Sequence, residues 1–252
     1  MPGYAYFLVI GAMLLTAVAM VLSGRTRRAR DGEYNTDALG FVGGVLNALF
    51  IVVLAFYTVI TWTDADNAAQ GAETEAANLV DIYWQAANAP KPNQVRALVT
   101  EYTNEVADRE WPLMADGKND PKADDLLTAL HAEVMRLPVG TDDQLSMRDK
   151  AADDMRTVTD LHRSRISAAT DDDVLLKILL FGTIIGAIAM VVFPLVIGFS
   201  AGIRHLSSMV FMAGLLAFVV YFSFELDSPF SGLISVNPDA FQAATTEMSQ
   251  IP

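Results

Sequence analysis

The sequence contains no cysteine. That excludes disulfides, thiolate zinc sites, thiol nucleophiles and thioredoxin-type exchange, and it leaves either side of a membrane open as the compartment. Basic charge is short as well: 17 Lys and Arg stand against 30 Asp and Glu, a net charge of −13. Nucleic acid and anionic lipid would both be repelled, so nucleic acid is not expected as a partner. The signatures of common catalytic sites are missing: no GxSxG, phosphate-binding loop, dinucleotide-binding glycine pattern or HExxH occurs. His131, His162 and His205 are scattered, with no second ligand one turn away, which argues against zinc. His162, beside Arg163, reads as solvated. The clusters Asp124-Asp125, Asp142-Asp143, Asp153-Asp154 and Asp171-Asp172-Asp173 lack the alternating spacing of a calcium loop, and read as helix starts or exposed faces. No catalytic residue, metal site or cofactor is assigned, and the chain does not read as an enzyme. Alternating apolar runs long enough for a sheet are missing too, so the expected class is all-α.

What is present is four apolar runs almost free of charge. Residues 40–62, GFVGGVLNALFIVVLAFYTVITW, are apolar on every face. About 20 such residues cross a bilayer as a helix. Beyond them the pattern stays helix-favouring to Ala89, interrupted by Gly71 but by no proline. One long helix is expected from Gly40 to Ala89, membrane-embedded first and soluble afterwards. Residues 4–23 form a first span. Its positive charges, Arg25, Arg27, Arg28 and Arg30, follow the apolar run, whereas a signal peptide carries them before it. Residues 174–199 and 206–224 form spans three and four. In span three, Lys177 can snorkel, Gly182 and Gly186 suit a close helix contact, and Pro194 is expected to kink the helix.

The expected architecture is an all-α integral membrane protein with four transmembrane helices and a helical soluble domain inserted between helices two and three. Its parts are residues 1–62, the acidic domain 63–173, residues 174–224, and a polar tail at 225–252. By the positive-inside rule the basic loop at 24–39 is cytoplasmic, and Arg204 in the last short loop agrees. A multi-pass protein of the cell inner membrane follows, with 63–173 on the extracytoplasmic side.

Four helical stretches are legible in the acidic domain. The first extends span two, with Leu79, Val80, Tyr83, Trp84 and Ala87 on one stripe. The second runs from Pro92 to Trp111 with Val95, Leu98, Val99, Tyr102 and Val106 inward, and Trp111-Pro112 is expected to end it. The third covers about 122–137 with Leu126, Leu127, Leu130, Val134 and Leu137 inward. The fourth begins at Thr141, a suitable N-cap, and is striped by Leu145, Ala152, Met155, Val158, Leu161 and Ile166.

Two places are candidates for function. Asn47 is the strongly polar side chain deep in span two; it suits either an interhelical hydrogen bond or a water-filled path. Ala48, Val52 and Phe56 follow beside it at i, i+4 and i+8. They are either core and lipid-facing surface or an apolar constriction that gates by dewetting. The tail concentrates Glu225, Asp227, Pro229, Phe230, Gly232, Asn237, Pro238 and Asp239 just past span four. Proline fixes φ, glycine permits unusual angles, and Asp or Asn bonds nearby backbone, so this is a rigid turn able to dock the tail on the acidic domain. A short helix fits after Pro238. A cation site from Glu225, Asp227 and Asp239 is the less favoured reading.

These residues resemble the bestrophin-like domain family of bacterial membrane proteins, over nearly the whole chain. Glu33-Tyr34-Asn35-Thr36-Asp37-Ala38-Leu39-Gly40-Phe41 is similar to that family's approach to its second span. Glu110-Trp111-Pro112-x-Met114 resembles a second family stretch. Leu226-Asp227-Ser228-Pro229-Phe230-Ser231-Gly232 followed by Val236-Asn237-Pro238 resembles its tail, the most specific of the three. Bestrophins proper are pentameric anion channels whose second helix lines a hydrophobic neck. Laid on Phe56-Tyr57, the neck positions fall on Ala48, Val52 and Phe56. The resemblance implies a homo-oligomer, as a pentamer, with an anion-permeable pore along span two. The alternative is a non-conducting scaffold or accessory subunit whose acidic domain binds a protein partner. Bestrophins hold the domain between spans two and three in the cytoplasm, whereas the arginines here place it outside.

Overall fold

Without a proline between them, residues 36–85 stay in one helix. In the computed structural model, α1 runs over Thr36–Gln85 and is 50 residues long. The structure describes residues 10–11, 14–15, 18, 36–88, 92–170, 173–197, 203–226, 228–232 and 235–251. The expected first span and the arginine loop behind it fall almost wholly outside these residues. After α1 come a 3-10 turn at Ala86–Asn88, α2 (Pro92–Glu105), a π turn at Val106–Glu110, and α3 (Trp111–Ala115). Then follow α4 (Pro121–Val134), α5 (Asp142–Thr170), α6 (Val174–Ile197), α7 (Ile203–Glu225) and α8 (Asp239–Met248). Among the described residues there is no strand. Among the described residues, three helices are long and apolar enough to cross a membrane, the apolar windows lying in α1, α6 and α7.

The chain divides into two compact units, Met1–Trp62 with Asp172–Asp227, and Thr63–Asp171 with Ser228–Pro252. In the first unit, glycine permits close approach. A Cβ on Gly186 would lie 2.7 Å from the Phe50 ring, and one on Gly182 would lie 3.2 Å from Val53. α1 and α6 therefore touch through Gly182 and Gly186, as the spacing of these glycines predicts. α7 is tied to α1 by the Tyr57 hydroxyl, which donates to the Ser223 carbonyl at 2.7 Å. Thr61, Thr183 and Ser223 are buried but donate to carbonyls one turn back, so none is left unsatisfied.

In the second unit, α2 packs on both α4 and α8, while α5 packs on α3 and α4. Val95, Val99, Tyr102, Val106, Leu126, Leu127, Leu130, Val134, Met155 and Val158 are buried together, as their spacing predicts. The Thr141 hydroxyl accepts from the Gln144 amide at 3.2 Å and caps α5.

Four expectations need correction. Trp84 and Leu145 are exposed, and Ile82 takes the buried place on the stripe of α1. Leu137 packs against the core as expected, but beyond the end of α4, where its amide bonds to the Val134 carbonyl. Trp111-Pro112 does not end the second helix, because the turn before it widens and the Trp111 amide reaches back five residues to Val106. A wide turn relieves the clash a proline ring makes with the preceding turn of a regular α-helix, so the chain continues helically to Ala115.

G186A should lower the melting temperature of the purified protein, costing about 1–3 kcal/mol from overpacking against Phe50. G44A, which meets open space, should leave it unchanged or raise it. Equal melting of the two variants would contradict the close contact.

Candidate functional site: a buried charge network beside the tail

The core stripe of α5 reads Ala151, Met155, Val158, then His162 and Arg165, at alternating steps of four and three. The last two are as buried as the first three. A guanidinium in such a place needs carboxylates, and two are present. Glu75 of α1 takes the fork in two bonds, from Arg165 Nε at 3.1 Å and Nη2 at 3.0 Å. Glu110 of the π turn accepts from Nη1 at 2.7 Å. The Arg165 side chain is 3% exposed and both carboxylates are 0% exposed.

Tyr102 of α2 donates to Glu75 Oε1 at 2.6 Å. Its oxygen also lies 3.1 Å from His162 Nδ1. Arg165 Nη2 is 3.2 Å from the same Nδ1. A guanidinium only donates and the Tyr102 proton is given to Glu75, so Nδ1 can accept from Arg165 in one tautomer or donate to the Tyr102 oxygen in the other. Nε2 is 2.9 Å from Asp124 Oδ1, on α4 at the half-exposed rim. His162 is thus enclosed rather than solvated, and Asp124 is its partner rather than only an exposed helix-start acid.

Burial alone would lower the Arg165 pKa, but Glu75, Tyr102 and Glu110 outweigh it and hold the guanidinium charged. Burial raises the Tyr102 pKa well above its ordinary value, helped by the Glu75 charge, so the hydroxyl stays protonated. Burial also raises the Glu110 pKa, against the opposing pull of Arg165 and His162.

One side of this network is aromatic. The Arg165 guanidinium carbon lies 5.4 Å from the Trp111 ring and 5.3 Å from the Phe241 ring. Trp111 meets Phe230 edge-on at 5.5 Å and Phe241 at 5.7 Å. Its Nε1 donates to the Val236 carbonyl at 2.9 Å. The tail is therefore seated on the acidic domain. Pro229 accepts from the Val236 amide at 2.8 Å, Gly232 has φ +96°, and the Pro238 carbonyl accepts from Phe241 and Gln242 to start α8. Asn237 and Asp239 are exposed, and Glu225 is the last residue of α7. Asp227 lies outside the described residues, as does the cation site built on it. Among the described residues no group of three or more metal-ligating side chains gathers.

Asn47, Ala48, Val52 and Phe56 are all exposed on the chain. By helical periodicity Ala48, Val52 and Phe56 fall opposite the stripe of Phe50, Tyr57 and Thr61 that the first unit buries. The functional candidates the sequence reading missed are Glu75, Tyr102, Glu110, His162 and Arg165. A signal was available, since each sits where a core stripe would place an apolar residue.

The bestrophin-like domain family matches residues 6–241. The chain belongs to this family. A crystal structure of a membrane protein also superposes on this bestrophin-like chain with a TM-score of 0.68. It is 13% identical, and 96% of this chain and 98% of that chain are covered. At that identity the likeness concerns the fold. No curated protein matches the chain. Two of the stretches that carry the resemblance, Glu110-Trp111-Pro112 and the Pro-Phe-Ser-Gly tail, are the two that meet in this site.

W111F keeps an aromatic ring but loses the bond to Val236. It should cost about 0.5–1.5 kcal/mol and speed proteolysis within residues 228–251. An unchanged melting curve and unchanged tail cleavage would show that the bond contributes nothing.

Proposed function

We infer that this bestrophin-like membrane protein is a homo-oligomeric anion channel of the bacterial inner membrane, non-enzymatic, with its pore along α1. Four spans, a pentameric assembly and an extracytoplasmic acidic domain belong to this reading. The observation that supports it most is the exposed apolar face of α1 at Ala48, Val52 and Phe56. A helix packed on one side by α6 leaves that face to lipid or to other copies. Copies gathered about an axis would turn it into a narrow apolar neck, wetted only when it widens. Asn47, also exposed, lies about 140° round the helix from the middle of that face, so it suits a contact between helices better than the neck.

Phe56 is the bulkiest of the three positions and sets the constriction in this reading. Purified protein in liposomes should pass anions, and F56A should raise the flux several-fold by widening the neck. An oligomeric sample with no flux in either form would favour the rival, a scaffold whose acidic domain holds a protein partner. A tag placed at residues 116–119, an exposed loop, should be cleaved by protease added outside intact cells; protection there would reverse the orientation.

A further inference from the structure

The buried network holds two carboxyl groups, Glu75 and Glu110, but a single guanidinium. The two carboxyls are not equivalent. Glu75 receives two bonds from Arg165 and one from Tyr102, so both of its oxygens are engaged. Glu110 receives one bond at Oε2, and its buried Oε1 has no hydrogen-bond partner among the protein groups. An ionised orphan oxygen is the costliest state for a buried group, and a proton removes most of that cost.

We propose that Glu110 is a buried proton-binding site, and that its proton strengthens the hold of the network on the C-terminal tail. With Glu110 neutral, Glu75 alone balances Arg165, and the guanidinium field is freer to act on the Trp111 and Phe241 rings. With Glu110 ionised, a second carboxylate draws on the guanidinium and stands close to the electron-rich faces of those rings. The groups around Glu110 are Glu75 from α1, Tyr102 from α2, His162 and Arg165 from α5, and Asp124 from α4 through His162. From α8 comes the Phe241 ring, while Asp239 and Glu247 of that helix are exposed. The upward displacement of the Glu110 pKa by burial agrees with this placement. A carboxyl with a raised pKa in the folded state binds its proton more tightly there than in the open state. Its contribution is therefore complete below the ordinary carboxyl range and is lost as pH rises through the folded pKa. The proposal does not depend on conduction.

The absence of cysteine makes a clean test possible. Ala244 is buried in α8 and Ser249 is exposed, so A244C reports tail opening and S249C reports intrinsic thiol reactivity. The ratio of maleimide labelling rates, A244C over S249C, should rise at least about threefold between about pH 5 and about pH 8. E110Q, which keeps the shape of the neutral acid, should flatten that rise. A ratio that ignores pH, or a slope that survives E110Q, would overturn the proposal. If E110Q does not fold, infrared spectra of D154N decide, since burial raises the Asp154 carboxyl too and that substitution removes it. A protonated-carboxyl band should then persist at a pH where exposed acids are ionised, and its absence would overturn the proposal.

Discussion

A guanidinium stays charged under any condition in which a protein folds, so burying Arg165 obliges the fold to bury carboxylates with it. Each such ion costs several kcal/mol of desolvation, and only close, multiple bonds offset that cost. Here they come from distant parts of the chain: Glu75 on α1, Glu110 on the π turn, and Tyr102 and His162 to engage the remaining atoms. The arrangement forms only when α1, α2, the π turn and α5 are all in place. It is better understood as fixing one packing of four elements than as a large net gain in stability.

The same residue explains how the tail is held. Trp111 follows Glu110 directly, and the wide turn ahead of them puts both side chains inside. Glu110 faces the guanidinium, and Trp111 carries its ring to Phe230 and Phe241 of the tail. Burying a large aromatic side chain contributes about 1.5–3 kcal/mol, and the tail contributes two. Two family stretches that are far apart in sequence thus describe one contact. The Glu-Trp-Pro stretch supplies the floor, and the Pro-Phe-Ser-Gly stretch with its φ +96° glycine supplies the turn laid on it.

Much of the helical architecture was legible because apolar spacing is a local signal. The stripes through Val99, Tyr102 and Val106, through Leu127, Leu130 and Val134, and through Met155 and Val158 are buried as read. So are the glycine approaches at Gly182 and Gly186, and the short helix after Pro238. The charge network is less legible, because charged residues ordinarily mark surface. On α5 the stripe continues without a break through His162 and Arg165, and on α1 Glu75 stands between Ala72 and Leu79. Pairing between such residues is a long-range property, and no single stretch contains it. Trp84 and Leu145 failed in the opposite way: each has the right residue type near a stripe, but at a helix end where no neighbour covers it. Pro112 would end a regular α-helix, but not one whose preceding turn is widened.

Removal of Arg165 alone and of the whole trio tests this account most directly. R165M leaves Glu75 and Glu110 buried without a counter-charge, and should lower stability by about 3–5 kcal/mol in thermal melts of the purified protein. The triple variant E75Q/E110Q/R165M takes the charges away together, and should recover a large part of that loss. A triple variant as unstable as R165M, or an R165M that melts with the parent, would contradict the claim that the fold is organised around a compensated buried charge.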